Sequence, residues 1–263
     1  MGTTEARNVA AFERYTDELF NNKRIELVDE LIAPSYTRHS QRGVTVDTPD
    51  SYAPTIKALA ERFTIDDLIA REDRIAVRYH FDQLDDDELL GTAIAIYRFE
   101  ADKVAEHWVA WRSAEVGPWD GDVVPRDQWS IAGTDLPTPD EEANLTTLAR
   151  WGDIRHNRSD DFEGLRGLVT DPYTLHSPTS TRSISADDVV RISNGFANRF
   201  PGFTAHYDDM FIARDRVAVR FCYRFADGSP PPHTQCALAI YRFEGNRIAE
   251  YWQTQLPDDV DWD

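Results

Sequence analysis

A chain of 263 residues has room for two domains of ordinary size, and its 41% hydrophobic and 11% aromatic side chains are enough to give each a core. Its 47 acidic against 28 basic side chains leave a net charge of −19, which repels phosphate backbones and anionic membrane surfaces and so excludes nucleic acid and membrane as partners. With two cysteines, no apolar signal core near Met1 and no apolar run able to span a bilayer, the chain reads as cytoplasmic, with Cys222 and Cys236 expected as unpaired thiols.

The first elements are helical. Val9, Phe12, Tyr15 or Thr16, and Leu19 recur at helical spacing. Ile25, Leu27, Val28, Leu31 and Ile32 mark a second, short helix that Pro34 ends. Ile56, Leu59, Ala60 and Phe63 make the apolar face of a third. The period then becomes two, with Ile75, Val77, Tyr79 and Phe81 on one strand face. Residues 85–88, all acidic, read as a solvated hairpin loop, and Asp66 and Asp67 as solvated strand ends. Residues 92–99 turn at Glu100-Ala101-Asp102 into a strand over 104–111.

Residues 117–142, rich in Pro, Gly and Asp, read as a linker whose Trp119 and Trp129 pack on a domain. The helical pattern then returns: Leu145, Leu148 and Trp151, then Phe162, Leu165, Leu168 and Val169, ended by Pro172. Ser185 with Asp188 opens a further helix through Val189, Ile192 and Phe196. Val217, Val219, Phe221 and Tyr223 share a strand face, and Glu244-Gly245-Asn246 is a hairpin sequence.

The order is thus the same twice over. Residues 92–108 (TAIAIYRFEADKVAEHW) align without a gap to residues 236–252 (CALAIYRFEGNRIAEYW), with ten of seventeen positions identical; chance on average residue usage gives about one. Residues 69–78 match 212–220, residues 60–63 match 197–200, and Tyr36-Thr37-Arg38-His39-Ser40 matches Tyr173-Thr174-Leu175-His176-Ser177. The offset grows from 137 to 144, mainly after Phe63, which predicts that the first copy has lost most of a strand there. The chain is an internal duplication: residues 1–116, a linker 117–142, and residues 143–263. Helices followed by a meander argue α+β, two tandem cone-shaped domains with helices packed on a curved antiparallel sheet that encloses a cavity.

A helix, Tyr-x-x-His-Ser, a helix ending in Arg-Phe, Asp-Arg-Val-Ala-Val-Arg, and Tyr-Arg-Phe-Glu-x-Asn-Arg-Ile-Ala-Glu-x-Trp follow one another in an order that resembles the SnoaL-like polyketide cyclases. These belong to the nuclear transport factor 2-like superfamily, with ketosteroid isomerase and limonene epoxide hydrolase. The resemblance covers both copies and implies a deep small-molecule pocket, no cofactor, and pairing of two such domains through their sheets. The pair can form within the chain or in a homodimer. The superfamily hosts cyclases, isomerases, lyases and hydrolases as well as plain binding modules, so the fold leaves the reaction open.

In SnoaL-like cyclases the last strand often runs Glu-His-Trp-Asp, and the aspartate is the acid/base of an aldol ring closure. Here that position is Val109 in one copy and Gln253 in the other. Valine transfers no proton and glutamine only hydrogen-bonds. His107 shares a strand face with Val109 and Trp111 and is the candidate base. The resemblance assigns His39, beside it, a pocket-facing catalytic role. His176, Tyr251, Gln253, Arg220, Trp111, Tyr97 and Tyr241 are the candidate ligand contacts, Arg220 as a cation for a carboxylate or enolate. The seven histidines form no metal-ligand spacing, so no metal is expected. Two functions follow: an acid/base enzyme for a small, mostly apolar, oxygenated metabolite, or a non-catalytic binding or scaffold protein.

Overall fold

A computed structural model of the chain describes residues 3–85, 87–119, 123–133, 136–156, 161–225, 236–257 and 260–262; Asp86 of the acidic loop and parts of the linker lie outside these. The chain divides into two compact units, residues 1–133 with 262–263, and residues 134–261.

The first unit opens with α1 (Thr4–Arg14), capped by the Thr3 hydroxyl and running on into a π-helical turn over Tyr15–Asn21. A single turn, α2 (Val28–Leu31), leads into β1 (Ile32–Ser40) and β2 (Gly43–Asp47). Then come α3 (Pro49–Ala58), β3 (Glu61–Arg71), β4 (Arg74–Gln83), β5 (Leu89–Glu100) and β6 (Lys103–Ser113). A short β7 (Ser130–Ile131) adds a parallel edge to β3, so the linker segment around Trp129 belongs to this sheet, and Trp129 sits in its core. The strand order is β2-β1-β6-β5-β4-β3-β7.

The second unit repeats this with α4 (Pro139–Arg155), β8 (Val169–Ser177), β9 (Ser180–Ile184), α5 (Ala186–Arg199), β10 (Phe203–Ala213), β11 (Arg216–Phe225), β12 (Cys236–Glu244) and β13 (Arg247–Gln255), in the order β10-β11-β12-β13-β8-β9. Each unit is α+β, with helices packed on the inner face of one sheet. The sheets are mixed and not wholly antiparallel, because β1 pairs with β6, and β8 with β13, in parallel.

Local chemistry explains the turns. Ala101 and Asp102 both take positive φ, as do Gly245 and Asn246, the backbone a two-residue hairpin needs. Thr48 and Thr138 form capping boxes with Ser51 and Glu141, and Ser185 caps α5 through the Asp188 amide as its spacing predicts. Glu5 on α1 accepts the Glu72 amide at the β3–β4 turn (2.9 Å), and Glu141 on α4 accepts the Arg214 amide at the equivalent turn (2.7 Å). One carboxylate in each copy therefore fixes the first helix to the sheet.

Four sequence expectations change. Pro34 and Pro172 do not end helices; they sit inside β1 and β8, where the parallel ladder skips and no strand amide is required of them. β3 is complete, eleven residues like β10, so the first copy lost no strand: the deletion falls in the preceding helix, ten residues in α3 against fourteen in α5. Phe63 consequently lies on β3 and not on the third helix. Asp66 and Asp67 are buried at a bulge in β3, not solvated, and Asp66 accepts from His80 Nδ1 at 2.7 Å. That bond raises the His80 pKa against the opposing effect of burial.

Candidate functional site

A cavity of about 200 Å³ opens between the helices and the inner face of the first sheet. Alternation along β6 aims His107, Val109 and Trp111 into it, while β5 and β4 contribute Tyr97 and Tyr79. The helical turn over residues 12–20 supplies Phe12, Tyr15, Thr16 and Phe20, and β1 supplies Arg38 and Ser40. Burial runs along the cavity: Tyr15 and His107 are buried at its floor, whereas Arg42 is exposed and Ser40, Leu59 and Trp111 half-exposed at its mouth.

His107 is held from behind. The Tyr36 hydroxyl hydrogen-bonds Nδ1, and Tyr15 Oη lies 3.2 Å from Tyr36 Oη, all of it buried. This leaves Nε2 as the ring nitrogen open to a ligand. Burial, with Arg38 and His39 adding to it, pushes the His107 pKa down to about 3, so the imidazole is neutral at physiological pH. Burial likewise raises Tyr15, Tyr36 and Tyr97 well above the ordinary tyrosine value, so their hydroxyls stay protonated. The Tyr97 ring lies 5.2 Å from that of His107. A neutral imidazole beside protonated tyrosines gives the cavity a hydrogen-bonding ring nitrogen and several hydroxyl donors on its inner wall.

The first copy therefore brings together His107, Trp111 and Tyr97 as the sequence predicts, and adds Tyr15, Tyr36, Tyr52 and Arg38. His39 is not among them. It stands on the opposite face of β1, where Nε2 meets Glu106 at 2.9 Å, Nδ1 meets the carbonyl of Trp262, and the ring stacks 5.1 Å from Trp108. Burial pushes the Glu106 carboxyl up, but the hydrogen bonds from His39 and Arg98 outweigh it and hold it below the usual range.

The same cluster recurs in the second copy. His176 Nε2 meets Glu250 at 2.8 Å, Nδ1 meets Thr181, the ring stacks on Trp252 at 5.1 Å, and Arg242 completes the set. Both Tyr-x-x-His histidines thus tie β1 to β6 and β8 to β13, away from the interior. Arg220 is also outside. It shares the outer face of β11 with Cys222, opposite the core residues Val219 and Phe221, and pairs with Asp208 at 3.4 Å.

Inside the second copy, Tyr241 and Tyr251 stack at 4.6 Å, and Tyr251 donates to Gln253 Oε1 at 2.6 Å. The polar relay is gone. Trp151 lies near Tyr173, the counterpart of Tyr36, with ring centroids 6.0 Å apart. The Tyr173 hydroxyl and Trp151 Nε1 are buried with no hydrogen-bond partner among the described residues. His156, bonded to Tyr223 Oη at 2.9 Å, carries a pKa far below normal because it is buried, next to Arg155.

Cys222 and Cys236 face each other across β11 and β12 and form a disulfide, contrary to the expected free thiols. Their register makes them directly opposed neighbours, which the hairpin position imposes. Asp261 lies against both sulfurs and pairs with Arg224. No helix among the described residues is long and apolar enough to cross a membrane.

Residues 12–107 match the SnoaL-like domain family, and residues 147–259 match the SnoaL-like polyketide cyclase family. No curated protein matches the chain. Among solved structures, a protein of unknown function from Mesorhizobium loti, described as NTF2-like, is 19% identical over 46% of this chain and 96% of its own, with a TM-score of 0.38. A proposed polyketide cyclase from Acidithiobacillus ferrooxidans is 19% identical over 42% of this chain and 91% of its own, TM-score 0.37. A proposed ketosteroid isomerase from Kribbella flavida is 17% identical over 48% and 96%, TM-score 0.38.

Proposed function

Because the chain is a tandem of two SnoaL-like domains, we propose that its first domain is an acid/base enzyme, moving a proton on carbon next to a carbonyl in a small, mostly apolar, oxygenated metabolite. The observation that carries this reading is His107, neutral and buried, at the floor of a cavity and braced through Nδ1 by Tyr36. In the tautomer that donates Nδ1–H to the Tyr36 oxygen, Nε2 presents its lone pair to the ligand. It takes a proton from the carbon, the carbonyl becomes an enolate whose negative charge offsets the burial cost of the imidazolium, and Tyr97 donates to the oxyanion. Return of the proton from His107 to another carbon gives isomerisation; attack of the enolate carbon on a second carbonyl, with the resulting alkoxide taking the proton back from His107, gives cyclisation. His107 replaces the acid that Val109 cannot be, and no cofactor enters the scheme. The second domain, without this relay, serves as its structural companion.

The test is exchange of the α-protons of 2-indanone in deuterated buffer, followed by NMR. The wild type accelerates exchange. His107→Gln lowers the acceleration by about two orders of magnitude or more, Tyr97→Phe by less, and Tyr251→Phe not at all. No acceleration by the wild type, or full acceleration by His107→Gln, favours instead the non-catalytic binding reading, which the Val109 and Gln253 positions support.

A further inference from the structure

We infer that the ligand of the first-domain cavity is a carboxylate: a one- or two-ring organic acid whose ring enters the cavity and whose anionic end stays at the mouth, held by Arg42 and Arg38. This rests on the reading that the cavity is the working site, and adds what it selects.

Charge carries the argument. Sixteen residues line the cavity, and at the chain's own frequency about three would be acidic. None is, while two are arginine, in a chain whose net charge is −19. The lining lacks the acids expected of it; with Arg38 already paired to Asp47, Arg42 leaves one uncompensated positive charge at the mouth, which favours an anion over a neutral ligand of the same shape.

Both arginines have capacity left. Arg38 gives Nε and Nη2 to one oxygen of Asp47, at 2.9 and 2.8 Å, which leaves the Nη1 edge of the guanidinium for a second acceptor. Its carbon lies 4.5 Å from the centroid of the Tyr52 ring, which keeps it against the cavity wall. Arg42 has no ion pair among the described residues and lies 5.7 Å over the ring of Trp111. The turn that carries it is clamped to β6, since Gln41 donates to the Trp111 carbonyl at 3.0 Å and accepts its amide at 3.1 Å. The backbone that carries the cation is therefore held at the mouth of the cavity.

Size sets the remainder of the ligand. A cavity of about 150 Å³ accepts benzene, so about 200 Å³ takes one ring or two small ones and excludes a four-ring skeleton. The inner wall is aromatic, from Phe12, Tyr15, Phe20 and Tyr97, and suits a planar ring.

The test is calorimetric titration with matched acids and amides, benzoate against benzamide and 2-naphthoate against 2-naphthamide. The wild type should prefer each acid by about tenfold or more. Arg42→Gln, an exposed position whose folding can be checked by thermal melt, should lower that ratio, and Arg42→Gln together with Arg38→Gln should bring it close to one. His107→Gln should keep the acid preference. Equal affinity for acid and amide, a ratio unaltered by Arg42→Gln together with Arg38→Gln, or no binding of either acid at millimolar concentration overturns the inference. Proton exchange on 2-indanone reads the catalytic proposal separately, so either can fail alone.

Discussion

The Tyr36 hydroxyl and His107 Nδ1 meet in a buried hydrogen bond beneath the cavity, linking β1 to β6 across their parallel pairing. Tyr36 in turn meets a second buried hydroxyl, Tyr15, so the imidazole has a fixed orientation before any ligand arrives.

Removing that brace should cost both stability and rate. Tyr36→Phe leaves Nδ1 buried without its partner, a loss of about 1–3 kcal/mol in urea unfolding. Exchange of the 2-indanone α-protons should slow about tenfold with little change in apparent affinity, because the substituted phenyl ring still fills the wall. Unchanged exchange in a folded variant would make Tyr36 a packing residue only.

Acid should unfold the protein earlier than its carboxylates alone dictate. An unfolded histidine takes its proton near pH 6.5, but folded His107 refuses it until about pH 3. A depressed folded value means the stability is present above the unfolded pKa and is lost as the pH falls through 6.5 toward 3. His107 contributes up to about 3 kcal/mol to the loss between pH 6.5 and 4. His156, depressed for the same reason, adds in the same direction. His107→Gln should flatten the slope of unfolding free energy over that range; a parallel shift with no change of slope would argue that the imidazole is wet.

The disulfide closes a short loop, with fourteen residues of sequence separation. A loop of that length stabilises by roughly 3 kcal/mol through the unfolded chain. Cys222→Ser should lower the unfolding midpoint accordingly, and thiol titration of the denatured wild type should find reactive sulfhydryls only after reduction. Two free thiols without reductant would contradict the pairing.

Gly91 sits on β5 where a Cβ would lie 2.6 Å from the Arg112 carbonyl and 2.7 Å from the Phe81 ring. The backbone oxygen cannot withdraw without breaking the β5–β6 ladder. Gly91→Ala should therefore destabilise by about 1–3 kcal/mol, read by thermal melt, and should move Phe81 beside the cavity wall residue Phe63, whose ring is 6.1 Å away.

Periodicity and duplication made the architecture legible. Residues 92–108 and 236–252 mark the same hairpin twice, and the alternation of β6 and β5 is what puts His107, Trp111 and Tyr97 on the cavity side. The Tyr-x-x-His motif misled because residues 36–40 were not read as a strand. In a strand, positions three apart point to opposite faces, so Tyr36 and His39 cannot both enter the cavity. The tyrosine does and the histidine does not. Arg38 and Arg42 carry no sequence signal, because only the packing of Tyr52 and Trp111 against them places them at the cavity. The alignment after Phe63 failed for a simpler reason: Arg-Phe occurs at the end of a helix in one copy and inside a strand in the other.

The twin clusters Arg98–Glu106–His39–Trp108 and Arg242–Glu250–His176–Trp252 separate what the two halves share from what they do not. The exterior brace is the same in both while the interiors differ, one holding a tyrosine–histidine pair, the other Trp151, His156 and Tyr251. Framework and interior are thus separable in this chain, and interior positions can be rewritten in either half with the brace left alone.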